Sequence, residues 1–120
     1  MSDLDVDESK RALLRAVKEK DFQAQVIELA QRLGWLAYHF RSVLVERKDG
    51  SKYWATPIEG DKGFVDVVFV RDRVLFAELK SETGRLSQEQ AECIARLGRG
   101  GAEAYVWRPS NWPAIEIILR

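Results

Sequence analysis

The chain has 120 residues, 46% hydrophobic and 32% charged, which are the proportions of one ordinary folded domain rather than a disordered segment. Basic and acidic side chains balance at 19 each, which argues against a uniformly basic nucleic-acid surface but not a local one: Asp3, Asp5, Asp7 and Glu8 carry −4, so residues 9–120 carry +4. The lone Cys93 excludes an internal disulfide and a cysteine-built zinc site. No apolar run is long enough to span a membrane, and the acidic MSDLDVDESK start is unlike a signal peptide, so a cytoplasmic protein is expected.

Residues 1–8 read as a disordered acidic start. From Ser9 the pattern is helical, with Leu13, Leu14 and Val17 three or four apart. A second apolar series, Phe22, Val26, Ile27, Leu29, Ala30 and Leu33, follows out of step, which predicts a break near Lys18–Asp21 and a second helix closed by Gly34. Residues 9–17 therefore form a separate amphipathic helix, available either as a dimer contact or to fold back on its own domain. Glu19 and Gln23 share one side of the second helix. Glu19 reads either as a helix-start carboxylate favoured by the macrodipole or as a site residue.

Trp35–Val45 has the aromatic and branched content of a strand centred on Leu36–Arg41. His39 has no second histidine to pair with and fits a surface position or a phosphate contact better than a metal site. The polar segment 46–62 carries the turn Lys48-Asp49-Gly50-Ser51, the tip of a hairpin closed by Tyr53–Ala55. Tyr53 and Trp54, beside Arg47, Lys48 and Lys52, are placed either to stack on a base and grip a backbone or to cover the sheet edge.

The centre of the chain is FVDVVFVRDRVLFAELK, two strands over Phe64–Val70 and Val74–Lys80 joined by Arg71-Asp72-Arg73. Side chains alternate along a strand, so Glu78 and Lys80 share a face. If the turn has three residues, Val70 lies opposite Val74 and Asp66 opposite Glu78 on that same face; a one-residue change in loop length would separate the two carboxylates. Facing carboxylates repel, a nearby lysine relieves only part of this, and a hard divalent cation relieves more. Charged residues at a strand end are also a common solvated face, so ELK alone decides nothing.

After the turn 81–85, Ser87 and Gln90 form an S-x-x-Q capping box for a helix to about Leu97. Leu86, Gln90, Ile94 and Leu97 make its inward stripe with Cys93 beside it, and Gln90 either only closes the cap or also faces the carboxylates. The Gly-rich run 98–101 ends that helix. Ala104–Trp107 is the last strand, and Ser110 or Asn111 caps a short terminal helix with Ile115, Ile118 and Leu119 inward.

The resulting order, α-β-β-β-α-β plus a short C-terminal helix, with GWLAYH (34–39), GFVDVVFV (63–70), LFAELKSETGRLSQEQ (75–90) and GAEAYVWRPSNW (101–112), resembles the PD-(D/E)xK, restriction-endonuclease-like α/β fold. More closely, residues 18–120 resemble the VRR-Nuc (virus-type replication–repair nuclease) domain in its small stand-alone phage and bacterial form. That resemblance implies a mixed central sheet flanked by helices and a metal-dependent, structure-selective DNA endonuclease. Asp66, Glu78 and the Leu79 backbone carbonyl become ligands of Mg²⁺ or Mn²⁺, Lys80 the catalytic lysine, Gln90 the helix glutamine near the site and Glu19 the acidic residue of the first helix. Val65 stands where the family usually has proline, a position that does no chemistry. The resemblance further implies a homodimer acting on branched DNA, in the manner of a Holliday-junction resolvase. Arg41, Arg47, Lys48, Lys52, Arg85, Arg96 and Arg99 flank the site as phosphate contacts. The competing reading is a catalytically silent nuclease fold that binds DNA or protein; a sequence-specific restriction enzyme would need more chain for base readout.

Overall fold

The computed structural model describes residues 3–55 and 58–120. Met1 and Ser2 of the expected disordered start, and Thr56 and Pro57 of the 46–62 loop, lie outside the described residues. Among the described residues four helices and six strands form a mixed α/β architecture. In chain order they are α1 (Asp3–Ala16), α2 (Glu19–Arg32), β1 (Leu36–His39), β2 (Val43–Glu46), β3 (Lys52–Ala55), β4 (Val67–Val70), β5 (Val74–Leu79), α3 (Gln88–Arg99), β6 (Glu103–Trp107) and α4 (Trp112–Leu119), the last preceded by a 3-10 turn over Pro109–Asn111.

The central sheet runs β1-β4-β5-β6, antiparallel except for the β5–β6 pair, which is parallel. A parallel pair needs a crossover, and α3 supplies it. The β4–β5 turn has three residues: Val70 pairs with Val74, and Arg71 N–H donates to Arg73 O at 3.1 Å. It closes without glycine, since among the described residues no non-glycine has a positive φ. Its arginines serve the neighbouring helix ends instead. Arg71 donates to the carbonyls of Leu33, Leu119 and Arg120 and lies 4.3 Å from the Trp35 ring, and Arg73 donates to Ile118 O. Orphan carbonyls at two helix C-termini are thereby satisfied by one turn.

Alternation sorts the two faces. Val67, Phe69, Leu75, Ala77 and Leu79 point to one side and are fully buried against Phe22, Val26 and Ala30 of α2 and Ile115 and Leu119 of α4. The other face carries Asp66, Val68, Phe76 and Glu78 beneath α3. That helix is capped as its sequence predicts, but none of its residues is fully buried, and it continues through Gly98 and Arg99 rather than ending before them. Its stripe of Gln90, Cys93, Ile94 and Leu97 is half-buried, α3 packing extensively against β6 alone among the strands. Leu36 and Tyr38 of β1 and Val74 of β5 stay exposed.

Two expectations need correction. Residues 3–8 are helical, not disordered: α1 begins at Asp3, where acidic side chains favour a helix N-terminus. Asn111 precedes α4 but does not cap it; its side-chain oxygen accepts from Arg108 N–H at 2.8 Å. The break between α1 and α2 falls at Val17-Lys18, and α1 has no extensive packing with any other element. Leu13 on it is 71% exposed. The β2–β3 hairpin forms a separate two-stranded sheet. These projections account for a radius of gyration of 16.5 Å, against about 14 Å for a compact chain of this length.

Candidate functional site

The register of β4 and β5 continues one residue past the ladder and brings Asp66 opposite Glu78. The two carboxylates exchange backbone partners: Asp66 N–H donates to Glu78 Oε2 at 3.2 Å, and Leu79 N–H donates to Asp66 Oδ2 at 3.2 Å. Asp66 is held from the other side as well, its carbonyl accepting from Phe40 N–H at 2.8 Å. Glu78 is 0% exposed and is the one charged residue among the fully buried described residues. Burial first, and then the adjacent Asp66 carboxylate, push its pKa up to about 8, with Lys80 opposing. Strongly shifted groups of this kind cluster at functional sites, and buried structural ion pairs shift pKa values too.

Lys80 Nζ stands 3.5 Å from Glu78 Oε1, its side chain mostly enclosed. Its backbone N–H donates to Trp107 O at 3.0 Å, extending the β5–β6 pairing to the lysine. The loop that follows is pinned by Arg108, whose guanidinium donates to Ser81 O at 2.7 Å and Gly84 O at 2.6 Å. Gln90 does both jobs open to it. Its Oε1 accepts from Ser87 N–H at 2.9 Å to close the capping box, and its Nε2 donates to Glu78 Oε1 at 3.0 Å. Gly63 allows this approach. A Cβ there would come within 2.5 Å of the Glu89 backbone and 2.7 Å of Gln90 N, and φ is +89°. Only glycine lets the strand entry press against the first turn of α3.

A cleft of about 830 Å³ reaches the Asp66 member of the pair, lined by Asp66, Gln90, Glu19, Gln23, His39, Arg41 and Trp54 among others. Glu19 is exposed at its rim. Among the described residues no group of three or more His, Cys, Asp or Glu side chains is placed to share a metal ion, so Glu19 stands apart from the Asp66–Glu78 pair. Gln23 Nε2 lies 3.5 Å from Leu79 O, the carbonyl expected as a ligand. His39 Nδ1 accepts from Arg41 Nε at 3.2 Å, and burial, then the Arg41 charge, hold its pKa below the usual value. The neutral ring thus carries its proton on Nε2 and is a donor within the cleft.

The remaining basic residues divide. Arg41 lines the cleft, whereas Arg47, Lys48, Lys52 and Tyr53 belong to the β2–β3 hairpin and its tip, and Arg85 is exposed in the loop before α3. Arg96 and Arg99 both pair with Glu92 along α3, so much of their charge is already met. Trp54 does not cover the sheet edge, being 70% exposed. Gly63 and Arg108 had no role in the sequence reading, and Gln23 only a place beside Glu19 on the second helix. The glycine's positive φ is its only local clue, and the other two act across long loops.

Comparison of the chain with protein-family models, curated proteins and solved structures returns no match.

Proposed function

We propose that the chain is a Mg²⁺- or Mn²⁺-dependent endodeoxyribonuclease of PD-(D/E)xK architecture, resembling stand-alone VRR-Nuc domains, that cuts branched DNA as a homodimer. The observation that carries this reading is Glu78, wholly buried opposite Asp66 and contacted by Lys80 and Gln90, with Asp66 and Gln90 lining an open cleft. The donor set suits a hard cation. Each carboxylate commits one oxygen to a backbone N–H; the second oxygen of Glu78 also meets Gln90 and Lys80, and Mg²⁺ commonly uses one or two carboxylates with water and phosphate oxygens completing its shell.

Asp66 and Glu78, with the Leu79 carbonyl, would hold the ion, which supplies Lewis-acid activation of the phosphodiester and a more acidic water. Gln90 keeps the Glu78 carboxylate oriented, and the two backbone hydrogen bonds keep the pair in register. Lys80 presents its ammonium where charge grows on the phosphorane, or takes part in orienting the water. His39 and Arg41 offer N–H donors to a neighbouring phosphate.

Support for the dimer is the α1 helix, which leaves its own body, together with the exposed apolar sheet face at Leu36, Tyr38 and Val74. Two copies related by a twofold axis bring two cleavage sites to one four-way junction. Light scattering at micromolar concentration should give twice the 13.8 kDa chain mass; a mass of one chain would remove the dimer.

The deciding experiment is cleavage of duplex, flap, splayed-arm and four-way-junction DNA with Mg²⁺, Mn²⁺ or EDTA. Metal-dependent cutting is expected, faster on branched substrates than on duplex. DNA binding without cleavage of any substrate would leave the silent binding module instead.

A further inference from the structure

The β2–β3 hairpin is not needed to complete the core, yet it places one side chain in the cleft. Pairing of Leu44 with Trp54 and of Glu46 with Lys52 sets these four on one face, and Trp54 is the member that lines the cleft beside Asp66, His39 and Arg41. An indole 70% exposed at the mouth of a polar cleft is an apolar surface awaiting a flat partner. The surroundings are cationic. Arg41, Arg47, Lys48 and Lys52 outnumber Glu46 and Asp49 over residues 41–55, and Asp49 is occupied by Ser51, whose N–H and Oγ–H both donate to it. On the opposite face the Arg47 guanidinium lies 4.1 Å from the Tyr53 ring centre, which stiffens the strand that carries Trp54.

We infer that Trp54 is a stacking platform for an unpaired nucleotide next to the scissile phosphate, so that the hairpin selects DNA with a single-stranded segment at the branch. A paired base has both faces taken up by its neighbours and offers an indole nothing to stack on; an unpaired base offers a whole face, whatever its identity. Lysines and arginines within the same hairpin then hold the flanking phosphates. This inference rests on the nucleic-acid reading above and adds to it the feature of the substrate that is recognised.

The structure makes the test spectroscopic. Trp35 and Trp107 are 2% and 3% exposed and Trp112 is half-buried, so Trp54 is the tryptophan most open to a quencher. With EDTA present, oligothymidylate of about a dozen nucleotides should quench the emission saturably. Trp54→Ala should weaken binding about 5- to 150-fold, the loss of one base stack, and Trp54→Phe, which keeps a ring, should retain most of the affinity. In Mg²⁺, the rate ratio of splayed-arm to fully paired duplex should fall towards one in Trp54→Ala.

Oligonucleotide that binds without quenching, or equally to wild type and Trp54→Ala, overturns the inference. So does emission that shifts with protein concentration alone, which would place Trp54 in a contact between copies. The outcomes separate the two proposals: quenching without cleavage of any DNA overturns the nuclease and leaves the platform, whereas cleavage with unquenched emission does the reverse.

Discussion

Replacing Lys80 by alanine should lower cleavage of the best wild-type substrate by about a thousandfold, the usual cost of removing one preorganised donor or proton-transfer group. The fold should survive. Lys80 keeps its strand pairing through a backbone N–H that donates to Trp107 O, which the substitution leaves in place. Its ammonium is also not what makes Glu78 tolerable in the core. With a pKa of about 8, Glu78 is largely protonated at neutral pH without metal, and Gln90 and the Asp66 N–H still satisfy its oxygens. Thermal unfolding within a few degrees of wild type and near-normal binding to the same DNA in EDTA should accompany the lost activity. Lys80→Arg should restore binding charge but little of the rate, because a planar fork cannot take the position of a compact ammonium. Full activity of Lys80→Ala would remove the mechanism proposed above.

What the sequence made legible is the part governed by short-range rules. A three-residue turn between two period-2 runs decides parity, and parity alone brings Asp66 to Glu78. The Ser87–Gln90 box is a local motif whose second amide hydrogen-bonding group reaches the carboxylate by helix geometry. The start of α1 was misread because Asp3, Asp5, Asp7 and Glu8 suit a solvated tail and a helix N-terminus equally. The half-burial of α3 was not legible because an apolar stripe shows which side turns inward, not how much sheet lies beneath it. The long-range contacts of Arg71, Arg108 and Gln23 were invisible for another reason. Their partners lie 24 to 56 residues away, and no spacing rule connects a guanidinium to a carbonyl across that distance.

Glu78→Gln should abolish cleavage and remove the pH dependence of stability attributable to this site. The folded-state pKa of Glu78 lies above its unfolded value of 4.5, near 8. Between those limits the folded protein holds a proton that the unfolded chain has released, so metal-free stability falls as pH rises and is fully present only below about 4.5. Across that window the wild type should lose on the order of 10 °C in Tm relative to Glu78→Gln, which has no proton to lose there. The comparison isolates Glu78 from His39, whose lowered pKa works with the opposite sign, adding stability as pH rises towards 6.5. Added Mg²⁺ competes with the same proton: it should stabilise the wild type most above pH 8, release about one proton per ion at pH 7, and leave the Tm of Glu78→Gln almost unchanged. Calorimetric unfolding of both proteins from pH 5 to 9, with and without Mg²⁺, reads all three effects. Parallel Tm curves for the two proteins would show that Glu78 titrates as an ordinary surface carboxylate, and equal stabilisation of both by Mg²⁺ would place the ion somewhere other than between Asp66 and Glu78.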